Sequence, residues 1–124
     1  MASLPTIMIV DDDPGIRKML TETLTLEGYP LETATQGQEA LDLLSKANAP
    51  RVILLDLLMP VLSGRGFMVA LNANPAERAR HKIIFVSANH NLEQHRDLNP
   101  DETLAKPFTV NQLLNLLDSV KVTA

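Results

Sequence analysis

The chain reads as an α/β protein in which a doubly wound parallel sheet of five strands carries helices on both faces. Three observations lead there. Short apolar or β-branched runs alternate regularly with segments whose apolar residues recur at helical spacing. Two of those runs, "RVILLD" (Arg51 to Asp56) and "KIIFVS" (Lys82 to Ser87), are apolar without alternation, which suits strands covered on both faces. Finally, 124 residues with 45% hydrophobic side chains suit a single core, and no repeat, low-complexity stretch or linker divides residues 1–124.

The elements follow in order. "TIMIV" (Thr6 to Val10) is the first strand, and Asp13 before Pro14 marks an N-cap and a first helical position. Ile16, Leu20 and Leu24 form the inward stripe of that helix, which Gly28 ends. "PLETA" (Pro30 to Ala34) is weakly apolar and is expected at a sheet edge. A helix from about Gly37 to Ala47 turns Ala40, Leu41 and Leu44 inward. After "RVILLD", the stretch "GRGFMVALNAN" gives a third helix closed near Pro75, and "ERARHK" (Glu77 to Lys82) is expected to be a solvated loop. "KIIFVS" and the short "ETLA" complete the sheet. Thr109 and Gln112 form a capping box for a last helix with Leu113, Leu114, Leu117 and Val120 as its stripe.

Composition narrows the function. A net charge of −4 disfavours nucleic acid as a direct partner, since that contact needs a positive field. The absence of cysteine excludes thiolate metal sites and disulfides and fits a reducing compartment. The N-terminal apolar stretch is too short for a signal peptide or a membrane anchor, so a cytoplasmic protein without membrane attachment is expected.

Parallel α/β sheets bind ligands beyond the carboxyl ends of their strands. Asp11 and Asp12 end the first strand, Asp56 the third and Ser87 the fourth, and Lys106 follows the fifth. Asp56 is conspicuous because it closes an apolar run, where an ionised carboxylate needs solvent or a cationic partner. Three carboxylates at one rim would repel one another, so a divalent cation is the natural compensation. Oxygen ligands without His or Cys favour Mg²⁺ or Mn²⁺ over zinc. A lysine and a hydroxyl beside a metal-bound carboxylate can hold a tetrahedral dianion.

"IVDDDP", "LLDLLMP" with Gly64, "IIFVSA" and "LAKPF" resemble, in the right order and across the whole chain, the four signatures of response-regulator receiver domains. The resemblance implies a flavodoxin-like strand order of 2-1-3-4-5. It also implies that a histidine kinase or histidine phosphotransfer protein donates a phosphoryl group to Asp56. Asp11, Asp12, Asp56 and the Leu58 backbone carbonyl would hold Mg²⁺, while Ser87 and Lys106, the latter before a cis bond to Pro107, would meet the phosphoryl oxygens. The donor would dock at Gly15, Ile16 and Pro107. A downstream protein effector would read the surface of the fourth helix, fifth strand and fifth helix. Such a domain is no enzyme beyond its own phosphorylation and dephosphorylation.

The sequence departs from the family pattern in places. Ser63 stands where an Asp usually precedes the glycine and can cap the helix as well. Thr103 occupies the switch position where receivers carry an aromatic residue. The segment from Ser87 to Lys106 is short and offers only Leu92 and Leu98 as anchors, so the fourth helix is expected to be short, displaced or poorly ordered.

Other residues have plainer readings. Met8, Met19, Met59 and Met68 are expected as core fillers, His81, His90 and His95 at the surface, and Phe108 in the core. Taken singly, Ser87 could be a helix cap and Lys106 a solvated side chain. Two other functions remain. One is a receiver-like docking module that works without phosphorylation. The other is a small Mg²⁺-dependent phosphohydrolase of the haloacid dehalogenase type, with Asp11 as nucleophile and Asp13 as acid/base.

Overall fold

In the computed structural model, which describes residues 4–120, five strands make one parallel sheet: β1 (Thr6–Val10), β2 (Leu31–Ala34), β3 (Arg51–Leu55), β4 (Lys82–Ser87) and β5 (Glu102–Ala105). Their order is β2-β1-β3-β4-β5, as expected, with the weakly apolar β2 at an edge. The helices are α1 (Pro14–Leu26), α2 (Gly37–Ser45), α3 (Gly64–Asn72), α4 (Pro75–Arg80), α5 (Asn89–Gln94) and α6 (Val110–Ser119), with a 3-10 turn at Arg96–Leu98. None of them is long and apolar enough to cross a membrane.

Side chains alternate across each strand, and that alternation sorts the core into two layers. Ile7 and Ile9 pack with Leu20 and Leu24 of α1 and with Leu113 and Leu117 of α6. Met8 and Val10 face the opposite way, toward Leu44 of α2, Phe67, Met68 and Leu71 of α3, and Leu92 and Leu98. Both faces of β3 and β4 are covered, which accounts for the unbroken apolar runs.

Local chemistry fixes the ends of the helices. The Asp13 carboxylate accepts from the Gly15 and Ile16 amides at 2.8 and 3.4 Å, with Pro14 as the first residue of α1. At its other end Gly28 adopts φ +90°, and Tyr29 N–H returns to the Leu24 carbonyl at 3.1 Å. Ser63 caps α3 through Gly66 N–H at 3.1 Å, and Thr109 and Gln112 form the expected reciprocal pair at α6.

Several expectations need correction. The segment from Glu77 is not a solvated loop, because Pro75–Arg80 forms α4. Asn74 caps it, and Glu77 pairs with Arg80 at 3.0 Å, so end chemistry and charge hold a turn that lacks an apolar stripe. α3 itself ends at Asn72, with Ala73 as its C-cap, close to Pro75 as expected.

His81 is buried, not superficial: its Nδ1 accepts the Arg51 N–H at 2.9 Å and its Nε2 lies 2.9 Å from Glu77. His95 is half-buried, with Nδ1 3.2 Å from Arg65, while His90 is exposed. Met19 points to solvent, one residue off the Ile16, Leu20 and Leu24 stripe, whereas Met8 and Met68 are buried and Met59 packs against the core. Phe108 is half-buried against the α1 and α6 layer. The expected short fourth helix is α5, six residues long and anchored by Leu92, with Leu98 following in the 3-10 turn.

Candidate functional site

Strand register brings the rim residues together. β1 lies between β2 and β3, and Val10 is in register with Leu55, so the next residues, Asp11 and Asp56, emerge side by side. Asp56 N–H donates to the Val10 carbonyl at 2.9 Å. On the other side of β3, Ser87 is in register with Ala105, and Lys106 N–H donates to the Ser87 carbonyl at 2.9 Å. The sequence thus converts four strand ends into one cluster.

Within it, Asp11, Asp12 and Asp56 each offer a carboxylate oxygen, and these oxygens all lie within 4.8 Å of one another. Asp11 and Asp56 are buried, and Asp12 is exposed. The Lys106 ammonium sits 3.1 Å from Asp11 and 3.9 Å from Asp56. Lys106 is followed by a cis bond to Pro107. Asp11 also accepts the Asp13 N–H at 2.9 Å, and its backbone carbonyl takes a bond from Arg17 at 2.8 Å.

The balance of charge at this rim remains acidic. The Asp56 carboxyl is pushed up to about 6, first by burial and then by the neighbouring Asp11, while Lys106 and the Leu58 N–H at 3.3 Å oppose the rise. Loss of water comes first among the causes, and Lys106 does not cancel the added effect of Asp11. Hard oxygen donors that crowd together and lack a full counter-charge suit a divalent cation of the Mg²⁺ class.

The β3–α3 loop packs tightly against Asp56. A Cβ at Gly64 would run into the Asp56 carbonyl oxygen and lie 2.7 Å from Leu57 Cα, so only glycine lets α3 start there. In the same loop Leu58 is 58% exposed, and Val61, 87% exposed, takes the left-handed conformation at φ +65°.

The other expected positions are more dispersed. Gly15 and Pro107 are exposed and Ile16 is half-buried, so a docking contact there is sterically open. Thr103 is exposed on β5 beside a cleft of about 390 Å³ lined by Asn89, Leu92, Glu93, Arg96 and Glu102 among others. Ser87 does not cap the following helix, whose N-cap is Ala88 without a side-chain bond. Instead its Oγ accepts from Asn91 Nδ2 at 3.3 Å, with both residues buried. Sequence reasoning missed Asn91. The available signal was its spacing of one helical turn from Ser87 in an otherwise polar segment.

Comparison with known proteins agrees with this arrangement. The family model described as response regulator receiver domain matches residues 7–118. The response regulator MprA of Mycobacterium sp. (strain KMS) is 33% identical over 111 residues, covering 87% of this chain and 46% of that protein. The chain therefore spans under half the length of the curated relatives it matches. Among solved structures, the chemotaxis protein CheY4 of Vibrio cholerae superposes with a TM-score of 0.83 at 30% identity, covering 96% of this chain and all of that one. The response regulator TrrA of Thermotoga maritima, solved in complex with Mg²⁺ and BeF, gives 0.79 at 30% identity over 93% of this chain and 97% of its own. Strand order, rim chemistry and these likenesses agree: the chain belongs to the response regulator receiver domain family, the signalling domain of two-component systems.

Proposed function

We propose that this chain acts as a single receiver domain over residues 1–124, accepting a phosphoryl group on Asp56 from a histidine kinase or a histidine phosphotransfer protein. The observation that carries this reading is a buried carboxylate, Asp56, with oxygens of two further acids within 4.8 Å and the Lys106 ammonium at 3.9 Å. Asp11, Asp12, Asp56 and the Leu58 carbonyl would hold Mg²⁺ or Mn²⁺. When bound, the ion supplies positive charge to the carboxylates and to an incoming phosphoryl group.

The chain's own residues do the rest. An Asp56 oxygen forms the new bond to phosphorus as the bond from phosphorus to the donor breaks, and the donor keeps that electron pair. Lys106 shifts its ammonium from Asp11 toward the transferred oxygens, and Ser87 donates its hydroxyl proton to one of them. Gly15, Ile16 and Pro107 form the rim over which the donor docks. The surface of α5, β5 and α6, including Thr103, is the one a protein effector reads.

The phosphohydrolase alternative is weakened by Asp13, whose carboxylate is occupied as the cap of α1. Incubation with acetyl phosphate and Mg²⁺, followed by mass mapping, tests the proposal. Label on Asp56 that vanishes in Asp56→Asn supports it. Label on Asp11 with rapid turnover of free phosphate esters supports the phosphohydrolase, and no label leaves the docking module.

A further inference from the structure

Asn91 is a buried polar residue that the phosphoacceptor reading does not use. It lies on α5, one turn after Ser87, 7% exposed, with its amide Nδ2 3.3 Å from Ser87 Oγ. A serine hydroxyl has one proton to give and two lone pairs that accept. Because Asn91 donates to Oγ, the Ser87 proton stays free for an acceptor elsewhere, and the rim that holds Asp56 is where an acceptor would arrive.

The helix that carries Asn91 is built to respond. α5 has six residues, and its N-cap, Ala88, makes no side-chain bond to the open amides. Thr103 leaves the 390 Å³ cleft on its β5 flank without a bulky filler. The segment beyond α5 is fastened separately, by Arg65 meeting both Asp97 carboxylate oxygens at 3.0 and 2.7 Å. A short, uncapped helix with a cleft beside it, one core anchor in Leu92, a buried bond at its start and an ion pair beyond its end has few contacts that resist a small shift of its first turn.

We propose that Asn91 is the positioning residue for Ser87, and that it transmits the state of Asp56 into α5. The Asn91 amide holds Ser87 with its proton available to a phosphoryl oxygen. When Ser87 moves to meet that oxygen, the same bond draws the start of α5 after it, filling the role that an aromatic side chain at position 103 would otherwise take. This inference rests on the phosphoacceptor reading of Asp56.

The test is a double-mutant cycle on the full chain with acetyl phosphate and Mg²⁺, read as the initial rate of label entering Asp56. Asn91→Ala and the nearly isosteric Asn91→Leu should each slow labelling by roughly 3- to 10-fold, the range expected for one lost hydrogen bond. Neither change should slow it further in a Ser87→Ala background. Amide hydrogen exchange with BeF₃⁻ and Mg²⁺ supplies the second readout. Residues 89–98 should gain protection in the parent chain, and that gain should disappear in Asn91→Leu. Independent losses in the cycle, or an α5 response that survives in Asn91→Leu, would overturn the role of Asn91 while leaving Asp56 as acceptor. Failure of the parent chain to label on Asp56 would remove the underlying reading and this inference with it.

Discussion

The Lys106 ammonium reaches across 95 residues of sequence to lie 3.1 Å from the Asp11 carboxylate. It also stands 3.9 Å from Asp56, where it opposes the effect of burial. Lys106→Met should therefore move the Asp56 carboxyl further above about 6, and Asp11→Asn should move it down, since Asp11 is the second cause of the rise. A ¹³C titration of the Asp56 carboxyl in metal-free buffer reads both shifts. Equal midpoints in the two variants would contradict this electrostatic account.

The same carboxyl makes stability depend on pH. An Asp that titrates near 6 when folded and near 3.8 when unfolded holds more protons in the folded state between those values, so it costs stability as pH rises through that window. Asp56→Asn should stabilise the metal-free protein by about 1–3 kcal/mol at pH 7 and by almost nothing below pH 4. Urea midpoints across pH measure the gap. A gap that stays constant would exclude titration of Asp56 as its origin.

His81 works in the opposite sense. Burial lowers its pKa from 6.5, with Arg80 and Arg51 adding to the effect and Glu77 opposing it, and its Nδ1 is already occupied by the Arg51 N–H. Its contribution is complete above pH 6.5 and is lost as pH falls below that value, because the unfolded chain then takes up the proton more readily. His81→Gln should flatten this acid-side loss. Denaturation of the Asp56→Asn and Asp56→Asn/His81→Gln proteins from pH 7 to pH 5 isolates it.

Val61 is a β-branched residue at φ +65° with 87% of its surface in solvent. The conformation is strained for such a side chain, and exposure means little packing is lost on removing it. Val61→Gly should raise stability by about 1 kcal/mol, read as a higher urea midpoint at constant slope. A lower midpoint would mean that the side chain contributes more than its strain costs.

Most of the rim could be read from the chain because its residues stand where apolar runs stop. Asp56 after "RVILL" and Ser87 after "KIIFV" mark strand ends, and a parallel sheet gathers such ends. α4 was not legible in this way. Its six residues carry no buried side chain, and it stands on Asn74, Pro75 and the Glu77–Arg80 pair, a signature that also fits a polar loop. His81 was misplaced for a related reason. Glu77, one turn earlier, is a local partner, but the Arg51 N–H comes from 30 residues away at the start of β3, and no local pattern announces that contact. Asn91 was hidden likewise, since one of two asparagines in a polar stretch gains meaning only when tertiary packing encloses it beside Ser87.

The long reach from Lys106 to Asp11 has a consequence for chain integrity. A break ahead of β5 would part the ammonium from both carboxylates it faces, Asp11 and Asp56, although all the acids would remain on the larger fragment. The last strand therefore brings to the rim a charge that the first three strands do not supply from their own ends.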